Sequence, residues 1–154
     1  MPAFLPVDPL FESKIRESFA RQGAMKLLGA RLSRVEAGLV EIELPFRAEL
    51  TQQHGFFHAG MTSAIVDTAG GYAGFSLFPA GSTVLTVEFK INLLAPADGE
   101  LLLAAGRVRK HGRTLTICDL EVTVVKNGRP ATCATGLQTL ICLQGRPDAP
   151  PARS

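Results

Sequence analysis

The stretch that decides the fold is "QQHGFFHAGMTSAIVDTAGG", Gln52 to Gly71. From His58 to Phe78 the chain is mostly apolar and rich in Ala, Gly, Ser and Thr. It reads as one long helix over residues 58–78, stopped by Pro79-Ala80-Gly81. Small residues let a sheet wrap closely around such a helix. Gly70 and Gly71 together lower its helix propensity by roughly 2 kcal/mol relative to Ala, so it forms only if it is packed on most sides. One carboxylate, Asp67, interrupts the run. A buried carboxylate without a neighbouring cation is expensive, so the fold must stabilise it or the function must use it.

Strands surround this helix. "LVEIELPF" alternates, with Val40, Ile42 and Leu44 on one face and Glu41 and Glu43 on the other, a half-buried strand ended by Pro45. "KLLGARLSRVEAG" reads as an irregular strand turning at Ala37-Gly38. After the helix, "TVLTVEFKINLL" places Leu85, Val87, Phe89, Ile91 and Leu93 on one face and Thr86, Glu88, Lys90 and Asn92 on the other. Turns at Asp98-Gly99, His111-Gly112 and Asn127-Gly128 predict an antiparallel four-strand meander. Asp8-Pro9 starts a short helix with Phe11, Ile15, Ser18 and Phe19 at helical spacing, ended by Gln22-Gly23. "QGRPDAPPARS" is a polar, Pro-rich tail expected to be disordered. The expected organisation is a helical segment over 1–24, one domain over 25–143 and a tail over 144–154. The fold class is α+β, a curled antiparallel sheet with one long helix as its filling.

The 154 residues suffice for one self-supporting core, and 46% are hydrophobic. A net charge of +2 gives no electrostatic reason to bind nucleic acid or an anionic membrane. No 18-residue stretch is uninterrupted in the manner of a membrane span, and the N-terminus lacks the pattern of a signal peptide. Cys118, Cys133 and Cys142 are odd in number, without metal-type spacing, and sit in strand-like surroundings. They read as buried thiols in a reducing, cytoplasmic setting. No metal is expected, because no His/Cys/Asp cluster has ligand spacing.

Two chemical features coincide in the helical stretch. Asp67 lies nine residues after His58, which is about 13 Å along a helix axis and half a turn around it. The two side chains of one chain therefore cannot form a dyad. Either one is structural, or a site combines His58 of one subunit with Asp67 of another, which a twofold dimer supplies twice. The amides near Ala59 and Gly60 have no intrahelical partner and lie at the positive end of the helix dipole. They could hold an acyl oxyanion, with a facing carboxylate activating water or attacking directly.

These residues carry a resemblance. Gln52, Gly55, His58, Gly60 and Asp67 match in spacing the signature of hotdog-fold acyl-CoA thioesterases of the phenylacetic-acid-degradation (PaaI-like) type, and the strand pattern matches over roughly residues 25–143. Two departures are Ala59 in place of the first Gly of a pair and Gln52 where Asn is commoner. The resemblance implies that Asp67 is the nucleophile or general base and that the Ala59 amide binds the thioester oxygen. His58 and Gln52 would position the thioester or water, and Thr86 would hold the lytic water. His54, Gly55 and Gly60 would line the substrate path. Arg107, Arg109, Lys110, His111 and Arg113 crowd one hairpin, and the resemblance places this neighbourhood near the coenzyme A phosphates, with Lys110 and Arg113 as the contacts. The implied reaction is acyl-CoA plus water giving acid plus free CoA, with coenzyme A a part of the substrate and no separate cofactor. The implied active unit is a homodimer or homotetramer.

Plainer readings accompany these. Asp67 could be a structural Asp bonded to nearby donors, and His58 a helix cap. His54 suits a loop or pocket wall, and the basic hairpin a solvated turn. The rival functions are a non-catalytic acyl-CoA or lipid-binding protein, a hydratase or dehydratase of acyl thioesters, and a structural partner protein. Phe56, Phe57, Tyr72, Phe75 and Phe78 could line an acyl pocket or simply pack.

Overall fold

The computed structural model describes residues 4–150 of the chain. At its centre is helix α3, Ala59–Phe75, with Ile65, Val66, Ala69, Ala73 and Phe75 fully buried. It ends three residues earlier than its composition suggests. The Ser76 hydroxyl donates to the Ala73 carbonyl and accepts from the Gly38 amide, which turns the chain out of the helix before Phe78.

A six-stranded antiparallel sheet curls around α3. Its strands are β1 (Arg31–Glu36), β2 (Leu39–Pro45), β3 (Ser82–Leu93), β4 (Leu101–His111), β5 (Leu115–Lys126) and β6 (Arg129–Gln144), in the order β1-β2-β4-β5-β6-β3. Alternation is clean on β2, on β5 and on β4 as far as Val108, one face on the helix and one outward, with a bulge in β4 between Val108 and Lys110. Only β4, β5 and β6 form a meander; β3 lies beyond β6, at the sheet's edge. The Asp98-Gly99 turn is therefore no hairpin but the end of a crossover, residues 94–100. It carries the chain past β6 and β5, three interstrand spacings or about 14 Å, well within the reach of seven residues. On the way, Leu94 N donates to Cys133 O and Ala97 O accepts from Phe57 N. This lays the crossover against the start of α3.

The close approach of helix and sheet explains part of the glycine content. A Cβ on Gly106 of β4 would lie 2.4 Å from the Gly70 backbone, and one on Gly70 would lie 1.9 Å from Gln138 Oε1 and 2.6 Å from Leu120 Cδ2. A Cβ on Gly74 would strike Leu140 at 2.3 Å. Gly71 is different: a Cβ there meets nothing within 4 Å.

Four further features depart from the sequence reading. Gly23–Leu28 forms a second short helix, α2, following α1 (Phe11–Arg21), so Lys26–Leu28 are helical and the strand starts at Arg31. Gly29 ends α2 in the left-handed conformation, φ +77°. The expected boundary at residue 24 thus falls inside α2. On β3, a bulge between Thr86 and Glu88 breaks the alternation. Thr86 faces the helix, and after the extra residue Phe89 takes that face while Glu88, Lys90 and Asn92 turn outward. The single apolar face expected on this strand is therefore split. Finally, residues 145–150 are placed. Gly145 N donates to Gly81 O, and Asp148 pairs with Arg21 at 2.9 Å and accepts from Thr83 Oγ1 at 2.9 Å. The expected tail and helical segment extend into residues 151–154 and 1–3, which lie outside the described residues. The three cysteines are free thiols, and burial pushes Cys118 up to about 12.

The glycine contrast gives a stability test. Gly106→Ala overpacks backbone against backbone and is expected to cost about 1–3 kcal/mol. Gly71→Ala gains helix propensity and is expected to stabilise by roughly 0.5–1 kcal/mol. Thermal denaturation of the two variants checks both signs.

Candidate active site

Two recesses flank α3. The first lies at the helix start. His58 is the N-cap: its backbone is extended, and its Nδ1 accepts from Gly60 N at 2.8 Å. That bond assigns the ring proton to Nε2. The Gly60 amide is thus occupied by the cap, while no acceptor among the described residues takes the Ala59 N–H. Ahead of the cap, a tight loop is closed by Gln52 N to Phe56 O, 2.9 Å, and Gly55 N to Gln52 O, 3.0 Å. Gly55 sits at φ +82°, the left-handed conformation glycine adopts without strain. Gln52 Oε1 accepts from the His54 amide. The side chain at 52 therefore shapes the loop, and His54 is exposed at its rim. A cavity of about 520 Å³ opens here, lined by Gln52, His54, Phe56 and Ala59 and walled by Leu94 and Pro96 of the crossover.

The second recess, about 290 Å³, lies halfway along α3 and contains Asp67 with Gly71, Tyr72, Thr86 and Gln22. Asp67 is half-buried rather than sealed in. Its Oδ1 accepts from Thr86 Oγ1 at 2.8 Å and from Gln138 Nε2 at 2.6 Å. These donors replace the water lost around an ionised carboxylate. Gln138 Nε2 also reaches the Asp67 carbonyl at 3.0 Å and Thr86 Oγ1 at 3.0 Å. Asp67 Oδ2 has no partner among the described residues. Nor does Gln138 Oε1, although it is buried, an omission that typically costs about 1–3 kcal/mol. Beyond Asp67 the recess ends in a polar chain. Gln22 Nε2 donates to Tyr72 Oη, which donates to Ser18 Oγ, each at 3.0 Å. Burial raises the Tyr72 phenol above its ordinary value.

The structure thus brings Gln52, His54, Gly55, His58, Ala59 and Gly60 together at the helix start, and Asp67 and Thr86 together at mid-helix. It does not join the two groups. Lys110 and Arg113 lie elsewhere again. Their hairpin sits at the C-terminal end of α3, where the His111 ring stacks on Phe78 with centroids 5.9 Å apart, and burial lowers His111 below its ordinary value. The 17-residue helix puts that end about 25 Å from the Ala59 recess. Among the aromatics, Phe75 and Phe78 are core, Phe57 is buried but lines the first recess together with Phe56, and Tyr72 lines the second. Sequence reading missed Gln138. Its strand alternates Leu137, Thr139 and Ile141 against Gln138, Leu140 and Cys142, and a lone Gln in such a pattern gives no sign that its face is the buried one.

Comparison with known proteins gives the family. The model of the thioesterase superfamily matches residues 54–131. A thioesterase family protein from Silicibacter pomeroyi is 46% identical, with a TM-score of 0.86 over 88% of this chain and 99% of that one. The proofreading thioesterase EntH of Klebsiella pneumoniae is 30% identical over 113 residues, 73% of this chain and 82% of that protein. E. coli PaaI, from the phenylacetic acid degradation operon, has the same fold, with a TM-score of 0.79 at 20% identity over 91% of this chain and 98% of its own. The chain belongs to the thioesterase superfamily, with the hotdog fold of its PaaI-like members, and is a thioester hydrolase.

The role of His58 as a cap is separable from chemistry. His58→Ala is expected to lower stability by about 1 kcal/mol, whereas His58→Asn restores the cap and most of the loss. Thermal melts of the pair, set beside their thioesterase rates, divide the two roles.

Proposed function

We propose that the protein is an acyl-CoA thioesterase whose site is completed across a homodimer. The observation carrying this reading is the division of one protomer's chemistry between two recesses, with β3 exposed beside both. Among the described residues β3 pairs only with β6, and it presents Leu85, Val87 and Leu93, each 56% exposed, along a 12-residue edge. An uncovered apolar edge of that length invites pairing with another chain. Antiparallel pairing of two β3 strands about a twofold at Lys90, with the bulge residue Val87 left unpaired in each, sets Thr86 of one protomer opposite Leu93 of the other. That register brings one Asp67 recess alongside the other protomer's helix start.

In the composite site the Ala59 amide receives the thioester carbonyl oxygen, aided by the helix dipole. The partner's Asp67, acting as base, takes a proton from water through Oδ2 while the water oxygen bonds to the carbonyl carbon. The tetrahedral intermediate collapses, the C–S bond breaks, and the proton held by Asp67 passes to the CoA thiolate. Direct attack by Asp67, giving an acyl anhydride that water then hydrolyses, uses the same placement. His58 keeps the helix start in shape and offers Nε2–H to the thioester, and Gln52 holds the rim. Thr86 donates a hydrogen bond to Asp67, which makes it a support of the carboxylate as well as a neighbour of the water. The small, polar-ended Asp67 recess suits a short acyl group. Lys110 and Arg113 are too far from their own protomer's helix-start recess, so any contact they make with coenzyme A phosphates is with substrate held mainly by the partner.

Asp67→Asn is expected to abolish release of free thiol from a panel of short, aliphatic and aryl-acetyl CoA thioesters while leaving the melting temperature within a few degrees. Unchanged turnover removes Asp67 from the mechanism. Mixed dimers of Asp67→Asn with a helix-start variant such as Ala59→Pro, which lacks the amide, are expected to recover activity at one of their two sites. No recovery in verified heterodimers refutes the shared site. The double variant Lys110→Ala/Arg113→Ala is expected to raise KM several-fold for acyl-CoA at low salt but not for the matching N-acetylcysteamine thioester. Equal effects on both substrates exclude a phosphate role.

A further inference from the structure

Resting on that reading, we propose that Gln138 is the positioning residue of the reaction, the group that selects which oxygen of Asp67 meets the thioester. It is 1% exposed, on the inner face of β6, directly behind the carboxylate. Its Nε2 and the Thr86 hydroxyl both donate to Oδ1. A carboxylate with two donors on one oxygen and none on the other is fixed in rotation, and Oδ2 is left as its unengaged oxygen. A third bond, from Nε2 to the Asp67 main-chain carbonyl at 3.0 Å, ties the carboxamide to the helix itself. The reactive oxygen is thus referenced to the backbone and not to a mobile side chain.

The orientation of the carboxamide is decided by the charge it faces. Turned over, it would set Oε1 against an ionised carboxylate oxygen at 2.6 Å, a repulsive contact between two acceptors. In the orientation present, Oε1 points at Gly70, where it would lie 1.9 Å from any Cβ, and it is a buried oxygen without a donor among the described residues. A residue selected for stability would not leave that acceptor unpaired. The same position filled by an apolar side chain of similar length would lose no buried partner, because Asp67 and Thr86 reach solvent through their recess. Gly70 belongs to the same device, since it is the gap that admits the carboxamide beneath the helix.

Gln138→Met tests this. Positioning predicts an unchanged or higher melting temperature, kcat lower by roughly 10- to 100-fold, and KM for a hydrolysed acyl-CoA within about twofold. A purely structural Gln138 predicts the reverse, a lower melting temperature with kcat per folded molecule retained, and that result overturns the proposal. If Gln138→Met fails to fold, Gln138→Leu and Thr86→Val provide the same comparison. Thr86→Val removes the other donor to Oδ1 and is expected to lower kcat in the same way, with KM retained. Full kcat in the folded variants overturns the proposal while leaving the thioesterase reading intact. A wild-type protein that releases no thiol from any of the acyl-CoA panel overturns that reading, and the proposal with it.

Discussion

The contact on which the rest of the structure depends is the near-touching of α3 and the sheet at Gly70 and Gly106. A Cβ on Gly106 would lie 2.4 Å from the Gly70 backbone. Interiors are packed too tightly for such an overlap to be absorbed without movement. At this spacing β6 lies close enough for Gln138 to reach the helix backbone, and Thr86 of β3 lies within 2.8 Å of Asp67. Had the helix been built from larger residues, the sheet would stand off, and the carboxylate would lose both donors. The glycines at 70 and 106 therefore serve the placement of a carboxyl group as much as the packing of a core.

The second organising feature is the crossover from β3 to β4. Because β3 lies at the sheet edge, beyond β6, the connection must run past two strands, and it does so at the N-terminal end of α3. It becomes one wall of the helix-start recess, while the loop ahead of His58 becomes the other. The unmatched Ala59 amide, a consequence of how any helix begins, is held in a shaped cavity instead of facing bulk water. The same topology leaves β3 with an unpaired edge beside that cavity. The features that build the recess are thus the ones that leave this strand edge open.

Several local choices sacrifice stability. His58 is not among the preferred capping residues. Gly71 lies in a helix with space for a methyl group, and Gln138 carries a buried oxygen with no donor among the described residues. All three sit beside one of the two recesses. In a protein that is locally consistent elsewhere, such departures gather where a site has to be kept open or a group has to be held in place.

The amino-acid order alone makes the central helix, the strands β2, β4 and β5, and the nine-residue separation that keeps His58 and Asp67 apart legible, because each follows from periodicity and helix geometry within a short window. It also carried the family, through the spacing of Gln52, Gly55, His58, Gly60 and Asp67. The rest came from long-range pairing and packing. The β3 bulge, a one-residue event, put Thr86 and Phe89 on the same face, where strict alternation separates them. The position of β3 beyond β6 turned an apparent hairpin into a cavity wall. Gln138, 71 residues away from Asp67 in the chain, met the carboxylate through pairing across the sheet. The same pairing and the length of α3 carried Lys110 and Arg113 to the opposite end of the helix. Local patterns record which way a segment turns; which distant segments meet is set by strand order and packing distance, which no window of the sequence contains.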